Sequence, residues 1–534
     1  MKRYKYLLLA LIPATMAVSC KKSTFVKDNI NPSTLVTVDP SAQFLYAADQ
    51  LPNSAEYYYD IYRFIMPWMQ YTTNNGGNAA GFNLESGNFG GRYGNYYQHV
   101  GLALADIPHL IAAMPAAEQA AYQYEGAIAA IYMAYYTFYV SDTYGSIPYS
   151  QAFQARYGGT LTPTYDPQQT LCDTLDLQIK TAIGVLESSP SATQKLYGAN
   201  DPFFGGASNQ VTAWLKAANA LRMKIAMRLL KRDAATATTI ITEALADANQ
   251  MSAIGDSWVL YVGPAFADAG GNFNPTGFLA AQPMVNFFNK YNDPREPIFY
   301  RQVSGGGYFG GTTSPDSAQT TYWENLYKAS DTPISQLQHR LWTPNFNEND
   351  GFGPGTGVGF FPVLTYAEYC FMRAELGERG ITNDAAGTWY TNGVTASIQF
   401  YDARATAATI TGYVPVTATQ ITNYLAQPDI AFDPTRALDQ IDCQAYIDFF
   451  KNPAEAWAWW KRTGFPNTTS VLPWTAMTSG TVAVQIPRRQ SLSPLPASDA
   501  NYANQQAAFT QMATDPNWGA TPDNEFGRVW WDLP

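Results

Sequence analysis

The sequence predicts a mainly α protein built from paired helices, interrupted by long loop excursions and only a few short strands. Three observations predict it. Apolar residues recur at three and four residues over several long segments, alternating strand-like runs are short and rare, and glycine, asparagine, serine and threonine collect into stretches of 15 to 25 residues between the helical segments. Periodic apolar spacing places one face of a helix against a core. Loops of that length in a compact domain are usually functional or disordered.

The elements follow in chain order. From Glu118 to Val140 alanines alternate with Tyr124, Ile128, Ile131, Tyr132, Tyr135, Tyr136 and Tyr139, which is one packed helix. From Val211 to Lys231 the residues Trp214, Ala218, Leu221, Ile225 and Leu229 form a second stripe, with Lys216, Arg222, Lys224 and Arg228 largely off it. Asp233 to Gln250 gives a third helix, Val363 to Leu376 a fourth that Gly377 would end, and Thr391 to Ala407 a fifth. Asn452, Pro453 and Glu455 supply a cap, a first-turn proline and a capping-box partner for a helix to about Arg462, with Gly464 to stop it. Val482 to Ile486 is the clearest strand signal.

Before the body comes an address. Lys2, Arg3 and Lys5 form a basic region, Leu7 to Val18 is an uncharged apolar run, and Ser19 and Cys20 follow. Such a run is too short to span a hydrocarbon layer of about 30 Å and reads as a signal peptide over residues 1–19. Cleavage before Cys20 would place a thiol where a bacterial lipoprotein takes its lipid, and several acyl chains such as palmitate anchor firmly where one does not. Residues 20–40, polar and punctuated by Asn31 and Pro32, read as the tether, and 41–534 as a single domain.

Charge and cysteine content exclude several classes. Loss of residues 1–19 removes three basic groups and no acid, so 29 basic against 43 acidic side chains leave a mature charge of −14. No basic stripe or nucleic-acid motif is present, and such a surface does not seek phosphate backbones. With Cys20 spent on lipid, Cys172, Cys370 and Cys443 are too few and too far apart for a disulfide framework or a paired-cysteine metal site. His99, His109 and His339 stand outside any metalloprotease spacing, and there is no nucleophile elbow or phosphate-cradling loop. A glycoside hydrolase with two spatially paired carboxylates is the enzyme alternative, because that pairing leaves no sequence signature. Asn345, Asn347, Asn349 and Asp350 lie near a glycine, but its offset and the missing bidentate acid make this a loop rather than a calcium site. No metal and no cofactor is expected.

The excursions cover residues 72–95, 263–277, 301–325 and 343–360, and each carries aromatics and amides with little charge. Rings that cover the apolar face of a sugar, with amides to bond its hydroxyls, suit a neutral polyhydroxylated ligand. Trp323, Trp342, Tyr308 and Phe309 are expected to line a shallow site with the Asn74 to Tyr96 loop, which brings Tyr93 and Tyr96, and with Asn75, Asn78 and Asn325 as amide neighbours. Too little local apolar sequence surrounds these aromatics to bury them. Trp457, Trp459 and Trp460 lie instead in a strong helix and are expected in the core.

Several segments in register carry a family resemblance. DNINPSTLVTVDP at 28–40, VSDTYGSIPYSQAF at 140–153, WLKAANALRMKIAMR at 214–228, YCFMRAEL at 369–376, FFKNPAEAWAWWKRTGFP at 449–466, IPRRQSLSP at 486–494 and RVWWD at 528–532 together resemble the SusD/RagB family of surface nutrient-binding lipoproteins of Bacteroidetes. The segment after the paired arginines, LSPLPASDANYAN, keeps only part of the family's pattern. The resemblance implies tetratricopeptide-like helix pairs under a variable loop-built face; no strict repeat is visible in the sequence itself. It also implies a non-catalytic protein on the exterior of the outer membrane that captures an oligosaccharide or peptide and delivers it to a SusC-like TonB-dependent transporter. A structural or adhesive surface lipoprotein is the alternative of a different class. Within the motifs, Asp142 and Gly145 are expected to cap and turn a helix, and Arg462, Arg488 and Arg489 to pair with acids such as Glu368, Glu375 or Glu455.

Overall fold

The computed structural model describes residues 38–53, 55–74, 76–78, 90–262, 278–329, 333–342, 359–490 and 492–534. The signal peptide, Cys20, the tether, Asn75 and the asparagine-rich 345–350 segment lie outside them. Helices dominate, as expected. The centre is the helix Gln210–Leu229, opened by Asn209, whose side-chain oxygen accepts from the Thr212 backbone N–H at 3.0 Å. It packs against Gln168–Leu186, Ala234–Ala246, Gln123–Tyr144 and Tyr366–Glu378. Successive helices pair, Gln123–Tyr144 with Gln168–Leu186 and Tyr366–Glu378 with Ala386–Ala407.

The central helix departs from the expected amphipathic pattern. Trp214 and Leu221 are fully buried as the stripe requires, but Arg222, Lys224 and Arg228 are buried too. A helix packed on every side has no solvent face for its cations, so each must find an acid. Arg222 pairs with Asp176 and Glu243, Lys224 with Glu368 at 3.0 Å and Glu455 at 2.9 Å, and Arg228 with Asp142 and Glu455.

That network explains two further corrections. Asn452 makes no side-chain cap for the helix Pro453–Thr463, and Glu455 closes no capping box, because its carboxylate is drawn to Lys224 and Arg228. Asp142 likewise turns to Arg228, and the helix before it ends instead at Gly145, whose φ of +83° only glycine adopts cheaply. Gly464, at φ +80°, does stop the later helix as expected. Gly377 does not stop Tyr366–Glu378, because an ordinary right-handed conformation carries the helix one residue past it.

Other bounds shift for physical reasons. The helix expected from Val363 begins only at Tyr366, capped by Thr365, because the β-branched and aromatic residues before it form the strand Gly359–Leu364. That strand pairs antiparallel with Trp258–Val262, a further strand beyond those expected, with a bulge at Trp258 and Val259. The helix expected from Glu118 starts at Gln123, after a separate turn Ala116–Gln119. Thr72–Asn74 pairs with Phe278–Ala280, and the strand expected over 482–486 shrinks to Val482–Ala483 in a hairpin with Thr478–Ser479. Trp457 and Trp459 are buried, as expected, and Arg462 pairs with Glu375. Arg488 goes to Asp532 rather than to any of the three expected glutamates, and Arg489 donates to the carbonyls of Pro522, Trp518 and Thr521.

Candidate ligand face

One large core runs through the described chain. A second, small cluster of Leu279, Ala318, Tyr327 and Ile334 stands apart from it, with Trp323 and Leu326 packed half-buried against it. It supports the helix Thr321–Lys328, in a stretch expected to be loop up to residue 325. Tyr327 is the buried anchor of that helix. Its hydroxyl donates to the Thr312 carbonyl at 3.3 Å, and Trp323, one turn earlier, lies over the same cluster.

The chain at Gly77 is pressed against this anchor. A Cβ at Gly77, where φ is +83°, would stand 2.8 Å from the Tyr327 ring and 2.9 Å from the Ala318 methyl. Asn78 locks the approach. Its side-chain oxygen accepts from the Thr73 hydroxyl at 3.1 Å and the Asn74 N–H at 3.2 Å, and its amide donates to the Thr313 carbonyl at 2.8 Å. Residues 72–74 and 76–78 thus meet the 311–328 segment as the loop chemistry predicts, but Asn78 is fully buried and its hydrogen bonds are spent on Thr73, Asn74 and Thr313.

An aromatic face lies above. Trp323 stands 5.3 Å from Tyr322, edge to face, and 6.2 Å from Phe309 at 36°. Tyr322 is 60% exposed and Phe309 38%. Phe309 is fixed by its backbone, its carbonyl accepting from the Ser335 N–H at 2.8 Å and its N–H donating to the Ser335 hydroxyl at 3.2 Å. Tyr308, half-buried, packs on the main core instead, and burial pushes its phenol up to about 12, so it is neutral and able to donate. Asn325 is exposed on the same helix, and Glu324 pairs with Lys328 at 2.9 Å. Rings, an amide and a neutralised ion pair make a face with little net charge.

Besides Asn78 and Tyr308, three further expected residues are not on it. Trp342 is 4% exposed, edge-on to Tyr62 at 5.1 Å and covered by the Lys451 ammonium 3.7 Å from its ring centre. Tyr96 is fully buried, stacked on Tyr136 and hydrogen bonded to Thr137 at 2.8 Å. Tyr93 is half-buried between Tyr97 and Tyr144. These rings sit where helices from distant parts of the chain converge, so the apolar partners that local sequence lacks arrive through the fold. Tyr322 escapes sequence reading for the opposite reason: the stretch up to residue 325 reads as loop, whereas Trp323 and Tyr327, at i and i+4, lie on a helix that leaves Tyr322 exposed beside them.

Among the described residues no helix is long and apolar enough to cross a membrane, and no cluster of three or more His, Cys, Asp or Glu residues is arranged to hold a metal ion. Paired helices beneath a small, separately supported aromatic face define the architecture. Residues 32–492 match the SusD-like family described as starch-binding and associating with the outer membrane, and the chain belongs to that family. No curated protein gives a significant match. Among solved structures the chain is similar to a chitin-binding protein, with 21% identity over 93% of this chain and 100% of the other and a TM-score of 0.70. It is also similar to a chitin-binding SusD homolog from Flavobacterium johnsoniae, with 20% identity over 92% and 98% of the chains and a TM-score of 0.68. A SusD homolog from Bacteroides fragilis follows with 18% identity over 93% and 100% and a TM-score of 0.68. The tetratricopeptide-like helix-pair scaffold expected from the resemblance is the fold of this chain.

Proposed function

We propose that the protein is a non-catalytic surface lipoprotein that captures an oligomeric nutrient, a glycan in preference to a peptide, and passes it to a SusC-like TonB-dependent outer-membrane transporter. The observation that carries the reading is the aromatic group of exposed Tyr322 and Phe309 with half-buried Trp323, on its own small cluster and with Asn325 beside it. Stacked rings cover the apolar face of a sugar, amides bond its hydroxyls, and the Glu324 to Lys328 pair leaves no net charge to attract an ionic ligand. The family description and the printed names of the chitin-binding relatives support a carbohydrate ligand. Trp323→Ala is expected to weaken binding to a glycan found by panel screening about tenfold, the loss of about 1.4 kcal/mol of ring contact, with little effect of salt. Native affinity in that variant, with an unchanged fold, would remove the face from the binding site.

The anchor is tested separately. Cys20→Ser is expected to shift the protein out of the membrane fraction and to abolish palmitate incorporation. Continued labelling of the variant would show that lipid is attached elsewhere.

A further inference from the structure

A second concavity lies among segments that take no part in the aromatic face. It encloses about 320 Å³ where the start of the helix Gln168–Leu186, Arg232 just after the central helix, the end of the helix Tyr502–Met512 and the 514–530 segment converge. Its walls include Trp518, Trp530, Gln168, Gln511 and the guanidinium side chains Arg232 and Arg528. Trp518 is held from behind by Arg489, whose guanidinium carbon lies 3.5 Å from the ring centre.

The charges in this wall do not balance. Arg232 has a carboxylate of its own, Asp515, and its Nε donates to the Trp530 carbonyl at 2.6 Å. Arg528 must share Asp532, at 2.8 Å, with Arg488, which donates to the same carboxylate through Nε at 2.8 Å and Nη2 at 2.7 Å. Two guanidinium groups on one carboxylate leave a positive charge at the wall, in a chain of net charge −11. Burial, opposed by Asp532 but reinforced by Arg488, pulls the Arg528 guanidinium below its ordinary range, so an added anion beside it would be favoured. Gln168, 3% exposed, donates its amide to the Ser141 carbonyl at 2.7 Å and hydroxyl at 3.1 Å, while its Oε1 has no hydrogen-bond partner. A buried acceptor in that state asks for a hydroxyl donor.

We propose that this cavity is a second carbohydrate subsite, independent of the aromatic face, that takes one acidic sugar residue: the ring against half-buried Trp530, its carboxylate at Arg528, and its hydroxyls at Gln168 and Gln511. The volume suits one hexose ring. Hydroxyl and carboxylate recognition are both needed, because the wall supplies one unbalanced cation and several neutral hydrogen-bonding groups.

The test titrates the intact protein with D-glucuronic acid, D-glucose and acetate, followed by ligand-observed NMR and tryptophan fluorescence. Glucuronic acid is expected to bind about tenfold more tightly than either glucose or acetate, since only it makes both sets of contacts. Arg528→Gln is expected to erase that preference. Thr514→Trp, at an exposed position on the rim, is expected to fill the cavity and block glucuronic acid without removing a buried group, which keeps the test decisive if Arg528→Gln is unstable. Equal binding of acetate would reduce the site to a bare anion contact and overturn the proposal. So would equal binding of glucose, no binding at all, or undiminished binding in Thr514→Trp. Trp323→Ala separates the two sites: loss of glucuronic acid binding in that variant would place the sugar on the aromatic face and refute a second subsite.

Discussion

Glu455→Ala is expected to lower the stability of the folded chain by about 3–5 kcal/mol, because it removes the one carboxylate that two buried cations share and leaves each with a single acid, Asp142 for Arg228 and Glu368 for Lys224. The Glu455 carboxylate faces Lys224 at 2.9 Å and Arg228 from the same helix, and all three groups are buried. Burial alone would push Glu455 up, but Arg228 and Lys224 outweigh it and hold the carboxyl at about 2. A depressed folded value means that this stabilisation is complete above the unfolded value of about 4.3 and is lost as pH falls from there toward 2. Glu368, across Lys224, has the opposite sign. Burial pushes it up to about 8, so its contribution is present below about 4.3 and declines as pH rises toward 8. Urea midpoints measured against pH check the pair: the gap between the native protein and Glu455→Ala is wide near neutrality and closes in acid. A gap that stays constant down to pH 2 would show that the Glu455 charge does not carry the effect.

Trp214→Ala is expected to cost about 3–5 kcal/mol for the lost ring alone. The indole is fully buried, edge-on to Trp258 at 5.0 Å and Phe204 at 5.1 Å, with Phe44 and Phe203 at 6.0 Å. Its N–H also donates to the Asp201 carboxylate at 2.7 Å, which the alanine would leave short of a partner. Trp214→Phe keeps most of the ring and is expected to lose only the hydrogen bond, about 1–3 kcal/mol. Thermal melting of the two variants gives the order, and a native melting temperature in Trp214→Ala would remove the helix from the core.

Local spacing revealed what depends on local spacing. The three- and four-residue stripes located the central helix, and Gly464 marked a true helix end because a positive φ is a property of one residue. What the sequence hid is what the fold brings from far away. Lys224 and Arg228 look like a solvated face until Glu368, Glu455 and Asp142 arrive from other helices. Trp342 looks exposed in an asparagine-rich stretch until Tyr62 and Lys451 close over it. Trp323 and Phe309 were legible, because their environment really is poor in apolar neighbours. Among the described residues only Leu279, Ala318, Tyr327 and Ile334 form the small buried cluster beneath the helix that carries Tyr322 and Trp323.

That small cluster separates two kinds of stability. A segment resting on four buried side chains opens at a lower free energy than the main core, so its amides exchange with solvent through local rather than global unfolding. The same separation frees it to vary. Substitutions along Thr321–Lys328 change which surface is offered to a ligand without disturbing the ion network around Glu455 or the aromatic packing at Trp214. A lineage can therefore vary the proposed binding face on this helix while inheriting the scaffold intact.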